Sequence, residues 1–239
     1  DLWVPGMDTQ GLFNAALESG DFPHVTARRL RNIVAECFAP RYLTPKPSPA
    51  MWLQTLNHRV SARALNQLCF VYTARANLIL RDFVTQLYWE RYASGYTEIS
   101  TEDSTEFVHR ATYDGKTKKM WSETTIKRLS SYLLSACVDY QMLQPFNRLA
   151  RQITPIRIDP CTTIILAYDL HLKGIADNNL INHPDWHLFG LQPEDVRDEL
   201  KRLGVSRFWI IQTAADVVSI SWAYKSMEEV VDVIIKTGL

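Results

Sequence analysis

The sequence predicts a mainly α-helical protein with a small α+β module near its C-terminal end. Helix caps and apolar stripes of period 3.6 recur from residue 22 to about residue 141. Runs rich in β-branched residues and alternating with period two are confined to Phe208–Thr213 and Val217–Tyr224. With 239 residues, 46% hydrophobic and 22% charged, the chain can bury a core of ordinary globular size. The change of texture near Ile153 predicts a boundary there, with a basic helical domain over 1–152 and a winged-helix-like, acidic module over 153–239.

The first predicted helix covers residues 22 to 38. Leu30, Ile33, Val34, Cys37 and Phe38 form its stripe and Pro40 is expected to stop it. Pro45, Pro47 and Pro49 stiffen the connector that follows. Met51–His58 is a short helix, and Ser61 caps a longer one whose stripe is Leu65, Leu68 and Tyr72. The next runs from about Asn77 to Tyr92 on Ile79, Phe83 and Leu87, until Gly95 ends it. Ser100 followed by Asp103 is a capping signal for another. The clearest helix start is at Ser122, with Glu123 at the positive end of the dipole and Trp121 placed to staple onto Ile126. Its stripe is Ile126, Leu129, Leu133, Ala136, Cys137 and Tyr140, and its outer face Thr124, Lys127, Arg128, Ser131 and Ser135.

Beyond Ile153 a helix over Thr162–Leu172 ends at Gly174, and Asp177 is placed to cap a short second one. Pro193 starts a third, with Val196, Leu200 and Leu203 on one face. The two β-rich runs follow, and Ser226–Glu229 reads as a capping box for a closing helix. Three helices, a hairpin and a helix is the order of a winged-helix module.

The formal net charge of zero is a sum of large opposing terms. From His24 to Arg81 there are nine Lys/Arg and one acid, Glu36. Asp82–Glu106 holds six acids and one base; Phe107–Arg128 holds six bases and two acids; Asp159–Leu239 holds twelve acids and seven bases. Charge segregated in this way keeps a polyanionic partner open despite a neutral total.

Three stretches carry a family resemblance: LILRDFVTQLYWERY (Leu78–Tyr92), WSETTIKRLSSYLLSACVDYQML (Trp121–Leu143), and a tail from HPDWHLFGLQPEDVRDELKRLG through ISWAYKSMEEVVDVI. Together they resemble the BrxA-like family of bacterial BREX phage-defence systems, whose helical part is similar to the fold of the antitermination factor NusB. The resemblance implies a small helical protein that works beside a methyltransferase and large ATPases and binds DNA. Its motifs are structural patterns rather than catalytic signatures.

Eight of the nine bases in the first basic region are arginine, suited to bidentate phosphate contact, and they lack interspersed acids. Arg28, Arg31, Arg59 and Arg63 are therefore the first candidates for contacts to double-stranded DNA. Lys116, Lys118 and Lys119, in a loop after Asp114-Gly115, with Lys127 and Arg128 on the Ser122 helix, form a second candidate set. Their expected role is charge neutralisation and positioning, with shape-led rather than base-reading recognition. The would-be recognition helix of the C-terminal module carries Glu194, Asp195, Asp198 and Glu199 against Arg197, Lys201 and Arg202, a net negative charge that phosphates repel, so that module is expected to be structural or to dock another BREX protein. A protein adaptor whose basic face meets an acidic partner is the alternative.

No Walker loop, GxGxxG or GxSxG occurs. Pro184-Asp185 with Glu199-Leu200-Lys201 mimics a PD…ExK nuclease signature, but Glu199 falls in an amphipathic helix, so chance explains it. His171, His183 and His187 lack zinc-site spacing and are expected to be capping or hydrogen-bonded. No catalytic residue, metal, cofactor or small-molecule substrate is expected. Cys37, Cys69, Cys137 and Cys161 contain no CxxC pair and are expected as buried free thiols of a reducing compartment. No apolar run reaches the ~20 residues of a membrane span and no signal-peptide pattern opens the chain. The expected location is the cytoplasm.

Overall fold

A computed structural model of the chain describes residues 2–117, 119–204, 207–214 and 217–238. Its elements begin with α1 (Thr9–Glu18) and α2 (Ala27–Asn32), which runs on as a π-helix over Ile33–Leu43. Then come α3 (Ala50–Leu56), α4 (Ala62–Ala76), and α5 (Leu78–Phe83), joined through a π-helical turn, Val84–Tyr88, to α6 (Trp89–Ala93). Strand β1 (Glu98–Ser100) precedes the long pair α7 (Thr101–Tyr113) and α8 (Glu123–Asp139), followed by β2 (Leu143–Pro145) and β3 (Ala150–Ile153). The chain continues with α9 (Pro160–Leu172), α10 (Asp177–Ile181), a 3-10 helix over Pro184–Phe189, and α11 (Pro193–Gly204). It closes with β4 (Trp209–Ala214), β5 (Val217–Trp222) and α12 (Met227–Thr237). The fold is mainly α with a small β component, as the sequence predicts.

Local signals set most helix starts. Ser100 and Asp103 form a reciprocal box: the Asp103 amide donates to Ser100 Oγ at 2.9 Å, and the Ser100 amide to the Asp103 carboxylate at 2.8 Å. Asn77, Ser61, Ser122 and Ser226 each accept from the amide three residues on. Each such cap stabilises its helix by about 1 kcal/mol.

Two helices depart from their predicted stripes. Pro40 lies inside the π-helix rather than ending α2, and the Thr44 amide bonds to the Ala39 carbonyl five residues back at 2.8 Å. The wider turn spreads the apolar positions, so Leu30, Val34 and Ala39 are buried while Ile33 and Cys37 are exposed. The π turn at Val84–Tyr88 acts likewise: Leu80, Phe83, Val84 and Tyr88 are buried, and Ile79 and Leu87 only half so. α1 and the three short strands were not visible in the sequence pattern, because strands of three or four residues carry too little alternation.

The chain forms two compact units, and the division does not follow a boundary at residue 152. One unit comprises 1–76, 159–182 and 196–239; the other comprises 77–158 and 183–195. In the first, α9 is buried without interruption from Cys161 to Leu170, and it packs against α4 and α12. The Tyr168 hydroxyl donates to the Phe208 carbonyl, inside a cluster with Trp209, Trp222 and Tyr224. Asp177 does not cap α10. Its carboxylate accepts from the Ile220 amide at 2.8 Å and from the Trp222 indole at 3.3 Å, which ties the β4–β5 hairpin to α10. The antiparallel hairpin buries Val218 and Ile220 on its inner face, the period-two pattern expected.

In the second unit β1, β3 and β2 form an antiparallel sheet in that order, with Ile99 opposite Arg151 and Gln144 opposite Gln152. Trp89 donates from its indole to the Leu188 carbonyl at 3.1 Å and lies against Gly190. Trp186, Leu188 and Phe189 are buried, the packing role their composition suggested.

Candidate nucleic-acid interface

In the first unit Thr26 caps α2 by accepting from the Arg29 amide, and Arg28 and Arg31 stand one turn apart on that helix, both exposed. The Arg31 guanidinium lies 4.9 Å over the ring of buried Phe13, a cation–π contact that sets its direction. Arg59 is exposed in the turn from α3 into α4, and Arg63 is exposed in the first turn of α4. Among the described residues no carboxylate lies within ion-pair distance of Arg28, Arg29, Arg31 or Arg59. Two other bases of the same stretch are taken up internally. Arg75 pairs with Asp169, a carboxylate only 3% exposed that also meets Lys173 at 2.8 Å. Arg81 lies 3.5 Å from Asp82.

In the second unit the site is a helical hairpin. α7 and α8 meet at two buried serines: Ser104 Oγ donates to the Ser130 carbonyl at 3.1 Å, and the Ser130 hydroxyl lies between the Ile126 carbonyl of its own helix, at 2.8 Å, and the Ser104 carbonyl, at 3.2 Å. Nearer the loop, His109 Nε2 lies 3.2 Å from Glu123. The inner face of α8 buries Ile126, Ser130, Leu133, Leu134 and Cys137. Thr124, Lys127, Arg128, Ser131 and Ser135 are all exposed, the outer face predicted. Lys119 is exposed in the loop, and Lys118 lies outside the described residues. Lys116 turns aside: its ammonium donates to Gln86 Oε1 at 3.3 Å and lines a cleft of about 610 Å³ with Glu90, Asp103, Glu106 and Asp114. Two other cations of that cleft have acid partners, Arg91 with Asp103 and Arg110 with Glu106.

Two aromatic residues that the charge map overlooked complete the face. Tyr113 is 73% exposed where α7 meets the loop, its ring stacked with His109. Tyr132 is 59% exposed one turn beyond Arg128. Its place off the apolar stripe of α8 was the available signal. Cations interleaved with exposed rings can neutralise phosphate and stack on bases.

The family model described as BrxA matches residues 1–168. The chain belongs to the BrxA family. The match includes every candidate cation, and the C-terminal stretch from His183 that also carried the resemblance lies beyond it. BrxA is a component of BREX phage defence. Comparison with curated proteins gave no match, and comparison with solved structures gave none.

The residues of the enzyme-like patterns all make contacts within this BrxA-family chain. Asp185 is buried at the start of the 3-10 helix, its amide donating to His183 Nδ1 at 3.3 Å. Glu199 accepts two bonds from Arg202, at 3.0 and 2.6 Å, which hold the guanidinium charge up. Among the described residues no group of three His, Cys, Asp or Glu is placed to hold a metal. His187 meets the Leu191 carbonyl at 3.1 Å, and His171 stacks on Trp222 with ring centres 4.2 Å apart. The expectation of four buried thiols needs correction, since Cys37 is exposed by the π-helical rotation and Cys69 is only half-buried. Burial pushes Cys137 and Cys161 up to about 12 and raises Cys69 as well, so these three are held as thiols at neutral pH. Among the described residues no helix is long and apolar enough to cross a membrane.

Proposed function

We propose that this BrxA-family protein serves BREX defence as a non-catalytic, cytoplasmic component that engages double-stranded DNA, mostly through phosphate contacts. The observation that supports this most is where unpaired cations stand. Arg28, Arg31 and Arg59 in one unit, and Lys119, Lys127 and Arg128 in the other, are exposed and hold no acid among the described residues. Arg75, Arg91 and Arg202 by contrast are spent on Asp169, Asp103 and Glu199. Such cations release counterions when phosphate replaces solvent, which drives association without any base being read.

Another BREX protein would dock on the acidic end of the chain. In the first unit Asp198 on α11 is exposed, as are Glu228, Glu229 and Asp232 on α12. Phosphates are repelled by such faces and a basic protein surface is not.

The test is fluorescence anisotropy of the purified chain on a labelled random duplex across a salt series. Micromolar or tighter binding, with log K falling steeply against log salt, supports DNA contact. No binding at low salt overturns it and leaves the adaptor role, to be pursued by pull-down of the other BREX proteins.

A further inference from the structure

The β2–β3 turn of the second unit exposes two large apolar side chains, Phe146 at 61% and Leu149 at 73%. It is nevertheless firmly built. Asn147 Oδ1 accepts from the Leu149 and Ala150 amides at 2.7 and 2.8 Å. The Arg151 guanidinium donates to the carbonyls of Asn147 and Ala150 at 2.8 and 3.0 Å. The Thr101 amide, at the start of α7, donates to the Leu149 carbonyl at 2.6 Å. A turn clamped at its tip, its base and its flank holds the backbone that carries Phe146 and Leu149, so little backbone entropy is lost when the two side chains are buried by a partner.

The charge of the turn segment itself points to the kind of partner. Between Asp139 and Asp159 along the chain there are three arginines, Arg148, Arg151 and Arg157, and no acid; the nearest exposed acids are on the neighbouring elements, Glu98 on β1 and Glu102 in the first turn of α7. Arg148 is exposed within the turn itself. Apolar side chains flanked by arginine are the composition with which proteins prise open a base step from the minor groove while holding the adjoining phosphates. The position is also suitable. The tip sits at the Thr101 end of α7 and the Lys119 loop follows its other end, with the 13 residues of the helix between them. That is about 20 Å, or roughly six base pairs of duplex.

We propose that Phe146 and Leu149 form a wedge that inserts into the minor groove of duplex DNA and bends it, with Arg148 on the flanking phosphates. This rests on the DNA contact proposed above and adds a mode of engagement to it. Insertion breaks no covalent bond; it exchanges base stacking for contact with the two side chains.

The experiment uses the full chain and a duplex of about 30 base pairs carrying a donor and an acceptor dye at its ends, a length chosen to exceed the contact span. Anisotropy reads binding and energy transfer reads the bend. Wild type is expected to raise energy transfer. Phe146→Ala/Leu149→Ala is expected to abolish that rise and weaken binding on the order of tenfold, while the salt slope stays, because stacking is lost and phosphate contacts are kept. Phe146→Met/Leu149→Met keeps an apolar wedge and is expected to keep the bend. Both pairs replace exposed side chains, and matched circular dichroism and melting curves confirm that each variant is folded. Binding by wild type without a bend, or a bend undiminished in the alanine pair, overturns the wedge and leaves the phosphate contact standing. No binding by wild type defeats both. An alanine pair that bends DNA normally but no longer captures another BREX protein makes the tip a protein dock and also overturns the wedge.

Discussion

Removing three exposed cations at a time gives a prediction with a definite size. The two triplets are Arg28→Ala/Arg31→Ala/Arg59→Ala in the first unit and Lys119→Ala/Lys127→Ala/Arg128→Ala in the second. None of the six holds an acid among the described residues, so deletion leaves no carboxylate behind. Five are ordinary surface changes, worth about ±0.5 kcal/mol in stability. Arg31 also gives up its contact with Phe13, about another 0.5–1 kcal/mol. If all three members of a triplet touch phosphate, the slope of log K against log salt shrinks by about 2.7 in magnitude, from 0.9 per contact. Between 50 and 200 mM salt that is about a 40-fold smaller fall in affinity than for wild type. Anisotropy on a labelled duplex reads both slopes, and their comparison says which unit carries the contact. Weaker binding with an unchanged slope in both triplets would refute phosphate contact by these residues.

Other expectations test contacts inside each unit. At Gly190, with φ 69°, an added Cβ would sit 2.8 Å from the Trp89 ring, whereas Gly95, φ 81°, has nothing within 4 Å. Gly95→Ala is expected to cost about 1–2 kcal/mol from the left-handed backbone alone, and Gly190→Ala roughly 3 kcal/mol through the added overlap; urea midpoints separate them, and equal costs would discount the Trp89 contact. Arg75→Met strips the main partner from buried Asp169 and is expected to cost about 3 kcal/mol. Lys173→Met removes a more exposed one and is expected to cost under about 1 kcal/mol; melting temperatures in the reverse order would contradict the assignment. Burial lowers the pKa of His171 from its ordinary 6.5, against the opposing pull of Asp177. The unfolded chain then binds the proton more readily than the folded one, so the neutral ring's contribution is complete above pH 6.5 and is lost as pH falls. His171→Phe keeps a ring on Trp222 and is expected to flatten that part of the stability–pH curve; an unchanged curve would place the titration elsewhere.

Much of the candidate interface was legible because it depends on local chemistry. Ser122 begins α8, the stripe from Ile126 to Cys137 turns one face inward, and Thr124, Lys127, Arg128, Ser131 and Ser135 are left outside. The charge map, by contrast, could not show that Arg75 belongs to Asp169 or that Lys116 turns toward Gln86. Those partners lie 94 and 30 residues away, beyond any local pattern. Tyr113 and Tyr132 carry no charge, so a charge map does not show them, and their exposure is settled only by the fold.

By itself the sequence determined where most helices begin, which face of each strongly amphipathic helix is buried, and that the β component is small. Caps and 3.6-residue periodicity act over a few residues, so they survive without knowledge of the fold. Only the tertiary structure decided the rest. It interleaved the chain into two discontinuous units, turned Cys37 and Ile33 outward through π-helical turns, and used Asp177 to hold a hairpin instead of a helix. It also paired β3 with β1 across about fifty residues and left Phe146 and Leu149 exposed in the turn between β2 and β3. Those outcomes depend on which distant surfaces meet, and that is settled by packing and by the pairing of buried polar groups rather than by any neighbouring residue.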